Sequence, residues 1–311
     1  MAENIWINTM DRLKNEHGKI EELLRGKKIA FLDVPAYFNV GDLLIYLGTE
    51  AFFKKYSINV VYKSDYKNIN YSKLKDIDVI VFQGGGNFGD LYPLLQNMRE
   101  RIAEKYPSKR IVCLPQTIYF SCNNKMEKSI EKFNSHPDFH FFVRDERSLG
   151  IAKQFSKNTY LMPDMAHSLH PVVDKLEVGP SNVRPPSILS LVRNDVESSG
   201  HSINYVNKSS FDWEDIITSN DLINVRIYNT LANFSFTQEK AIRFWDKCAK
   251  DLCFRSINYF RGFSVIHTDR LHGLILSSLL GKETYMYDNS YGKNSSYYDL
   301  WLRNIPFIYK K

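Results

Sequence analysis

The chain has 311 residues, 43% hydrophobic and 24% charged, which is the balance of a globular protein with apolar material for two cores of ordinary size. A formal charge of +6 without any block of five like charges excludes a nucleic-acid patch and fits anionic small molecules or an anionic surface. The longest apolar runs, such as Val79 to Phe82 and Leu274 to Leu280, fall far short of a membrane span, and four cysteines without metal-ligand spacing read as reduced thiols of a cytosolic protein.

The chain opens on Met-Ala-Glu-Asn-Ile-Trp, with no signal-peptide pattern. Residues 4–25 put Ile5, Leu13, Ile20 and Leu23 on one face and predict a single amphipathic helix stopped by Gly26. Buried strands are then expected at Lys28 to Val34, Ile58 to Lys63, Asp78 to Gln83, Arg110 to Gln116, Phe139 to Val143 and Thr159 to Met162. Helices between them are expected at Leu43 to Lys55, Pro93 to Lys105, Met126 to Phe133 and Glu146 to Phe155. Residues 170–186 carry three prolines and a Gly-Pro, so a boundary is placed there, with domains at 1–172 and 187–311 and a linker at 173–186. Ser187 to Val192 begins a second α/β unit, residues 194–222 are poorly patterned, and a helix at Gln238 to Ser256 leads to a strand at Phe263 to Thr268. This alternation means α/β architecture, with two Rossmann-like parallel-sheet domains facing a crevice.

The chemistry is expected where that last strand turns into a helix. Thr268 or Asp269 can cap it, which puts Arg270, Leu271 and His272 in a first turn already favourable to anions. Lys293 follows in a glycine-bearing loop after the strand Thr284 to Asp288, and strand tips in a parallel sheet share one crevice. Arg144, after Phe139 to Val143, either laces a capped helix start or offers its planar fork to the same crevice. In Asn39-Val-Gly-Asp42, Asp42 either caps a helix or acts as a carboxylate base, sharing the crevice edge with Asp90.

Gly84-Gly-Gly-Asn-Phe-Gly-Asp90 satisfies G-x-G-x-x-G, which raises dinucleotide binding. The match follows the third strand rather than the first, and the next strand ends on Pro115-Gln116 where an acidic ribose ligand belongs. A plain glycine turn is the alternative. The reading preferred here lets a polar ligand approach main-chain N–H groups at Gly85 and Gly86, with Asn87 and Asp90 as partners. His267 and His272 lack the spacing of a metal pair, and His167 and His170 near Asp164 read as a turn.

Together, Asn39-Val-Gly-Asp42, Gln83 to Asp90, Leu114-Pro-Gln-Thr117, Val143 to Ser148, Pro163-Asp164, Thr268-Asp-Arg-Leu-His-Gly273 and Asp288 to Lys293 resemble the polysaccharide pyruvyl transferase family across nearly the whole chain. The resemblance implies a glycosyltransferase-B-like architecture, phosphoenolpyruvate as donor substrate, and a pyruvate ketal formed on a sugar of a bacterial surface polysaccharide or its precursor. It implies donor binding by Arg270, Leu271, His272, Arg144 and Lys293, and calls for no cofactor or metal. His272 suits proton delivery, since an imidazole titrates near neutrality, and Asp42 or Asp90 would serve the acceptor. Asn39 would join the substrate-binding set. A lipid-linked acceptor would bring the cytoplasmic protein to the inner face of a membrane, with the N-terminal helix as contact. The rival readings are a nucleotide-sugar glycosyltransferase and a non-catalytic glycan-binding protein.

Overall fold

The computed structural model describes residues 1–172, 187–192, 211–288 and 292–311. Two all-parallel sheets organise the chain. The first is built from β1 (Ile29–Leu32), β2 (Val60–Ser64), β3 (Val79–Phe82), β4 (Gly85–Gly89), β5 (Arg110–Tyr119), β6 (Phe139–Val143) and β7 (Asn158–Leu161). Its order is β2-β1-β3-β5-β6-β7, with β4 paired to the second half of β5. Every residue of β1, β3 and β6 is buried. Helices cover both faces of a doubly wound sheet, so these strands are apolar without alternation.

The helices wound on this sheet are α1 (Ala2–Glu16), α2 (Gly18–Leu24), α3 (Val40–Lys55), α4 (Pro93–Lys105), α5 (Asn123–Asn134) and α6 (Glu146–Ala152). The second sheet has the order β11-β10-β9-β8, from β8 (Ile188–Leu191), β9 (Val265–Thr268), β10 (Glu283–Met286) and β11 (Ile308–Lys310). With it come α7 (Ser219–Ala232), α8 (Gln238–Arg261), α9 (Leu271–Leu279) and α10 (Lys293–Tyr297).

The two sheets share their packing. One apolar cluster runs from Phe31 and Leu44 through Trp245 and Leu252 to Ile266 and Leu276. The N-terminal helix also crosses to the second sheet, where the Trp6 indole donates to the Ser278 carbonyl at 2.6 Å. In return, the Trp301 indole donates to the Arg144 carbonyl at 2.9 Å, and the Asp164 N–H donates to the Tyr297 hydroxyl at 3.0 Å.

Two expectations change, and a third is untested. The predicted N-terminal helix is two, broken at His17, whose ring turns inward to Ser168 Oγ at 2.7 Å and the Pro163 carbonyl at 3.1 Å. The Gly84–Asp90 stretch is no phosphate-cradling loop opening a helix; Gly85–Gly89 forms β4, which ends the dinucleotide reading. Residues 173–186, the predicted linker, lie outside the described residues, as do 193–210 of the poorly patterned stretch. After them, Trp213–Ile216 form a 3-10 turn and α7 starts on a reciprocal cap between Thr218 and Asp221.

Candidate active site

In the first sheet, the chain leaves β1 toward β2 on one side and β3 on the other. Their carboxyl ends diverge, and such a switch point leaves a crevice. A cleft of about 610 Å³ opens there, lined by segments that follow β1, β3, β6, β9 and β10. It brings together Asn39, Asp42, Gly86, Asn87, Arg144, Arg270, Leu271, His272 and Lys293 from both sheets.

Arg144 forms the floor. It is fully buried, its Nε donates to the Thr117 hydroxyl at 3.0 Å, and one amine pairs with Asp164. Thr117 passes its own proton to Asp145 at 2.9 Å, which frees its oxygen to accept from Arg144. The other amine, Nη2, is buried without a hydrogen-bond partner among the described residues. A Cβ at Gly86 would stand 3.2 Å from Nη2 and 3.0 Å from Lys293 Nζ. The absent side chain thus lets two cations approach the same stretch of backbone at the cleft, and a pair of cations so placed suits an anion.

Asp164 joins the two sheets electrostatically. Burial works against its charge, yet the hydrogen bond from His272 and the charges of Arg144 and His272 hold its carboxyl well below the usual carboxylate range. His272 Nε2 lies 3.4 Å from Asp164 Oδ2. The other side of the ring lies against Gly41, where a Cβ would stand 2.3 Å from Nδ1, so the Asn-Val-Gly-Asp motif needs its glycine to seat the histidine.

Asn39 caps α3, its side chain accepting from the Gly41 N–H at 3.0 Å, so Asp42 is not the cap. Asp42 instead accepts from the Tyr37 hydroxyl at 3.0 Å. Burial raises its pKa above the usual carboxylate range, against the opposing pull of His272, Tyr37, Arg144 and Lys293. His272 therefore stands between two carboxylates of different character, one held charged and one made more basic.

Arg270 is the N-cap of α9 rather than a first-turn residue; Thr268 does not cap the helix but accepts from the Arg270 N–H at 3.0 Å. Its guanidinium pairs with Asp212. Leu271 and His272 are the first two helical residues. Lys293 opens α10 directly after Gly292, whose φ of +78° suits glycine, so it belongs to a helix start and not to a loop. Residues 289–291 of that loop lie outside the described residues.

Asn87 lines the cleft and is fixed from behind. Arg99, fully buried, donates to its carbonyl at 2.9 Å and to its side-chain oxygen at 2.7 Å, and also pairs with Asp33. A guanidinium only donates, so the Asn87 amide must present its NH₂ elsewhere. Gly85 is buried at the start of β4, where a Cβ would lie 3.5 Å from Asp42 Oδ1. Asp90 does not join the cleft. Beyond the end of β4 it accepts from Ser121 N–H at 2.8 Å and pairs with Lys125 at 3.2 Å, on a different surface depression. Burial raises its pKa, but Ser121 and Lys125 outweigh it and hold it below the usual range.

The model of the polysaccharide pyruvyl transferase family matches residues 39–291, a span that takes in the cleft residues named above apart from Tyr37 and Lys293, which lie two residues beyond its ends. The chain belongs to that family. The protein named "Putative pyruvyl transferase EpsO", from Bacillus subtilis (strain 168), is 36% identical, over 93% of this chain and 90% of its own. "Pyruvyl transferase 1" from Schizosaccharomyces pombe is 28% identical, over 89% of this chain and 70% of its own. The solved structure of uncharacterized protein KP1_0663 from Klebsiella pneumoniae has the same fold, with a TM-score of 0.62 at 22% identity over 96% of this chain and 98% of that one.

As a polysaccharide pyruvyl transferase the protein is a pyruvyltransferase enzyme acting on polysaccharide. Its cleft uses residues that sequence reasoning passed over, among them Tyr37, Thr117, Asp164 and Asp212. Thr117 sat inside a quoted motif without a role, and Tyr37 lay two residues before another. Asp164 gave a signal, since Pro-Asp before a short turn is a cap pattern, but nothing local announced that two cations from distant segments would meet it. No described helix is long and apolar enough to cross a membrane.

Proposed function

We propose that the enzyme takes pyruvate from phosphoenolpyruvate and sets it as a ketal across two hydroxyls of one sugar of a surface polysaccharide or its precursor. The observation that carries this reading is Nη2 of buried Arg144, which has no hydrogen-bond partner among the described residues and meets Lys293 at Gly86. Phosphoenolpyruvate is small and carries a carboxylate and a phosphate, so it needs two or three cations in a confined place, and the cleft offers Arg144, Lys293 and Arg270.

In this scheme Arg144 and Lys293 hold one anionic group and Arg270 the other. His272, with Asp164 behind it, delivers a proton to the enol methylene carbon, which becomes the ketal methyl. One sugar oxygen bonds to the central carbon as that proton arrives. The second sugar oxygen bonds to the same carbon as the bond to phosphate breaks, and phosphate leaves with the proton balance of the second hydroxyl. Asp42, made more basic by burial and oriented by Tyr37, accepts a proton from the acceptor. The cations that bind the donor also stabilise the departing phosphate. These steps need nothing from Asp90.

The test is phosphate release from phosphoenolpyruvate against a panel of glycans, with mass analysis of the product. Phosphate release together with pyruvate on the glycan is the expected result. Thermal stabilisation by a nucleotide sugar and none by phosphoenolpyruvate would instead put the chain among nucleotide-sugar glycosyltransferases. Glycan binding with no donor turnover would make it a binding protein.

A further inference from the structure

We infer that the cleft continues beyond its cationic end into an arm that reads the glycan next to the reacting sugar, with the uncharged turn Leu91-Tyr92-Pro93-Leu94 as its apolar wall. The sugar beside the reacting one then contributes to acceptor choice, an inference that rests on the pyruvyl-transfer reading of the same cleft.

Leu91, Tyr92 and Leu94 are 43%, 47% and 64% exposed, and all three line the cleft. A run of exposed apolar residues is a liability for a soluble surface unless something covers it in use. The turn is also stiffly presented. Tyr92 is the N-cap of α4 with Pro93 as its first residue, the Tyr92 carbonyl accepts from Leu95 N–H at 3.1 Å, and Leu95 is buried. Such a turn offers a preformed face rather than a flexible flap.

The arm begins at the reacting centre. Tyr37, which holds Asp42, and Tyr92 line the same cleft. The neighbour of a sugar whose hydroxyl reaches Asp42 then lies along the wall to which Tyr92 contributes. The arm also takes Tyr66, Lys67 and Asn229. Beside them Asp65 accepts from Lys67 N–H at 2.7 Å and Asn68 N–H at 2.9 Å and from the Tyr228 hydroxyl of α7. One apolar wall together with polar groups matches a pyranose, whose C–H faces stack on aromatic and aliphatic surface while its hydroxyl edges take hydrogen bonds. A hydrocarbon tail would leave those polar groups unmatched.

The experiment is calorimetric binding to the full chain of methyl glucoside, galactoside and mannoside and of tetrasaccharides built from the same sugars. At least one tetrasaccharide is expected to bind about tenfold more tightly than its own methyl glycoside, with Tyr92→Ala erasing that gain and Tyr92→Phe keeping it. Equal affinities across all lengths, or a gain that survives Tyr92→Ala, overturn the inference. Phosphate release from phosphoenolpyruvate is read separately. Length-dependent binding without release overturns the donor reading alone, and release without length dependence overturns this inference alone.

Discussion

Arg144 and Arg270 stand at equivalent places in the two sheets, each following a strand, β6 or β9, and each paired with an aspartate. They are held very differently. Arg144 is sealed in the protein, its main chain on Gln116, its Nε on Thr117 and one amine on Asp164. Arg270 keeps 15% of its side chain exposed and grips Asp212 at the rim of the cleft. An anion that reaches Nη2 of Arg144 displaces no hydrogen-bond partner among the described residues, but it must compete with Asp212 for Arg270. Similar strand-Arg-helix orders therefore yield a fixed anchor in one sheet and an exchangeable clamp in the other. The tertiary partner, not the strand-Arg-helix order, decides which.

The comparison can be broken most forcefully at the anchor. Arg144→Met leaves the Asp164 carboxylate buried beside His272 with its main counter-charge gone, and is expected to cost about 3–5 kcal/mol of stability. Phosphate release should vanish as well. Urea unfolding and the phosphate assay check both, and a variant as stable and active as the parent would show that Arg144 anchors nothing. His272→Ala tests the group poised between the two carboxylates, with an expected loss of about 10²–10⁴ in kcat. Near-full turnover in steady-state kinetics would remove it from proton transfer.

Arg270→Ala probes the clamp. It should lower kcat/KM for phosphoenolpyruvate by about 1.5–3 kcal/mol, the range of a hydrogen bond to a charged group, and destabilise less than Arg144→Met. An equal stability loss in the two variants would erase the distinction drawn here.

The last test concerns the support behind the anchor. His17 braces the Pro163 carbonyl and Ser168 on either side of Asp164, and burial lowers its pKa from 6.5 to about 4. Between those values the unfolded chain binds a proton that the folded protein refuses. The stability contributed by the neutral ring is complete above pH 6.5 and is lost as pH falls toward 4, at about 1.4 kcal/mol per pH unit. Asp33 works in the opposite direction, because burial raises its pKa to about 6 against the charge of Arg99, and it takes up a proton in the folded state over part of the same window. The difference in unfolding free energy between parent and His17→Gln isolates the histidine. It should shrink on acidification, and a difference constant from pH 7 to pH 4.5 would mean that His17 is not buried neutral.

Sequence patterns were legible where physics is local. Pro93–Lys105 and Phe139–Val143 lie where periodicity and apolar runs put them, residue for residue. Gly85–Gly89 did not read as a strand, because three glycines in five residues supply no side-chain pattern, and its pairing with β5 comes from tertiary placement. That error carried Asp90 into the crevice. In an extended strand three residues cover roughly 10 Å, so Asn87 can line the cleft while Asp90 points elsewhere. The helix break at His17 was likewise invisible, since its cause is a partner about 150 positions away. Of the candidate site, Arg144, Arg270, His272 and Lys293 could be assembled from strand-tip logic. Asp164 and Tyr37 could not, because their importance lies in which distant groups they meet.

The crossed tryptophans, Trp6 reaching the second sheet and Trp301 the first, bear on how the enzyme is made. Trp301 donates to the carbonyl of Arg144 itself, and Tyr297 accepts from the main chain of Asp164. A ribosome that has released the whole first sheet has therefore not yet supplied two of the contacts that set the anion floor. The nascent protein can bury its strands early, but it becomes competent for its donor only after Tyr297 and Trp301 emerge. Fragments that stop short of them should fold, if at all, with the floor unfinished.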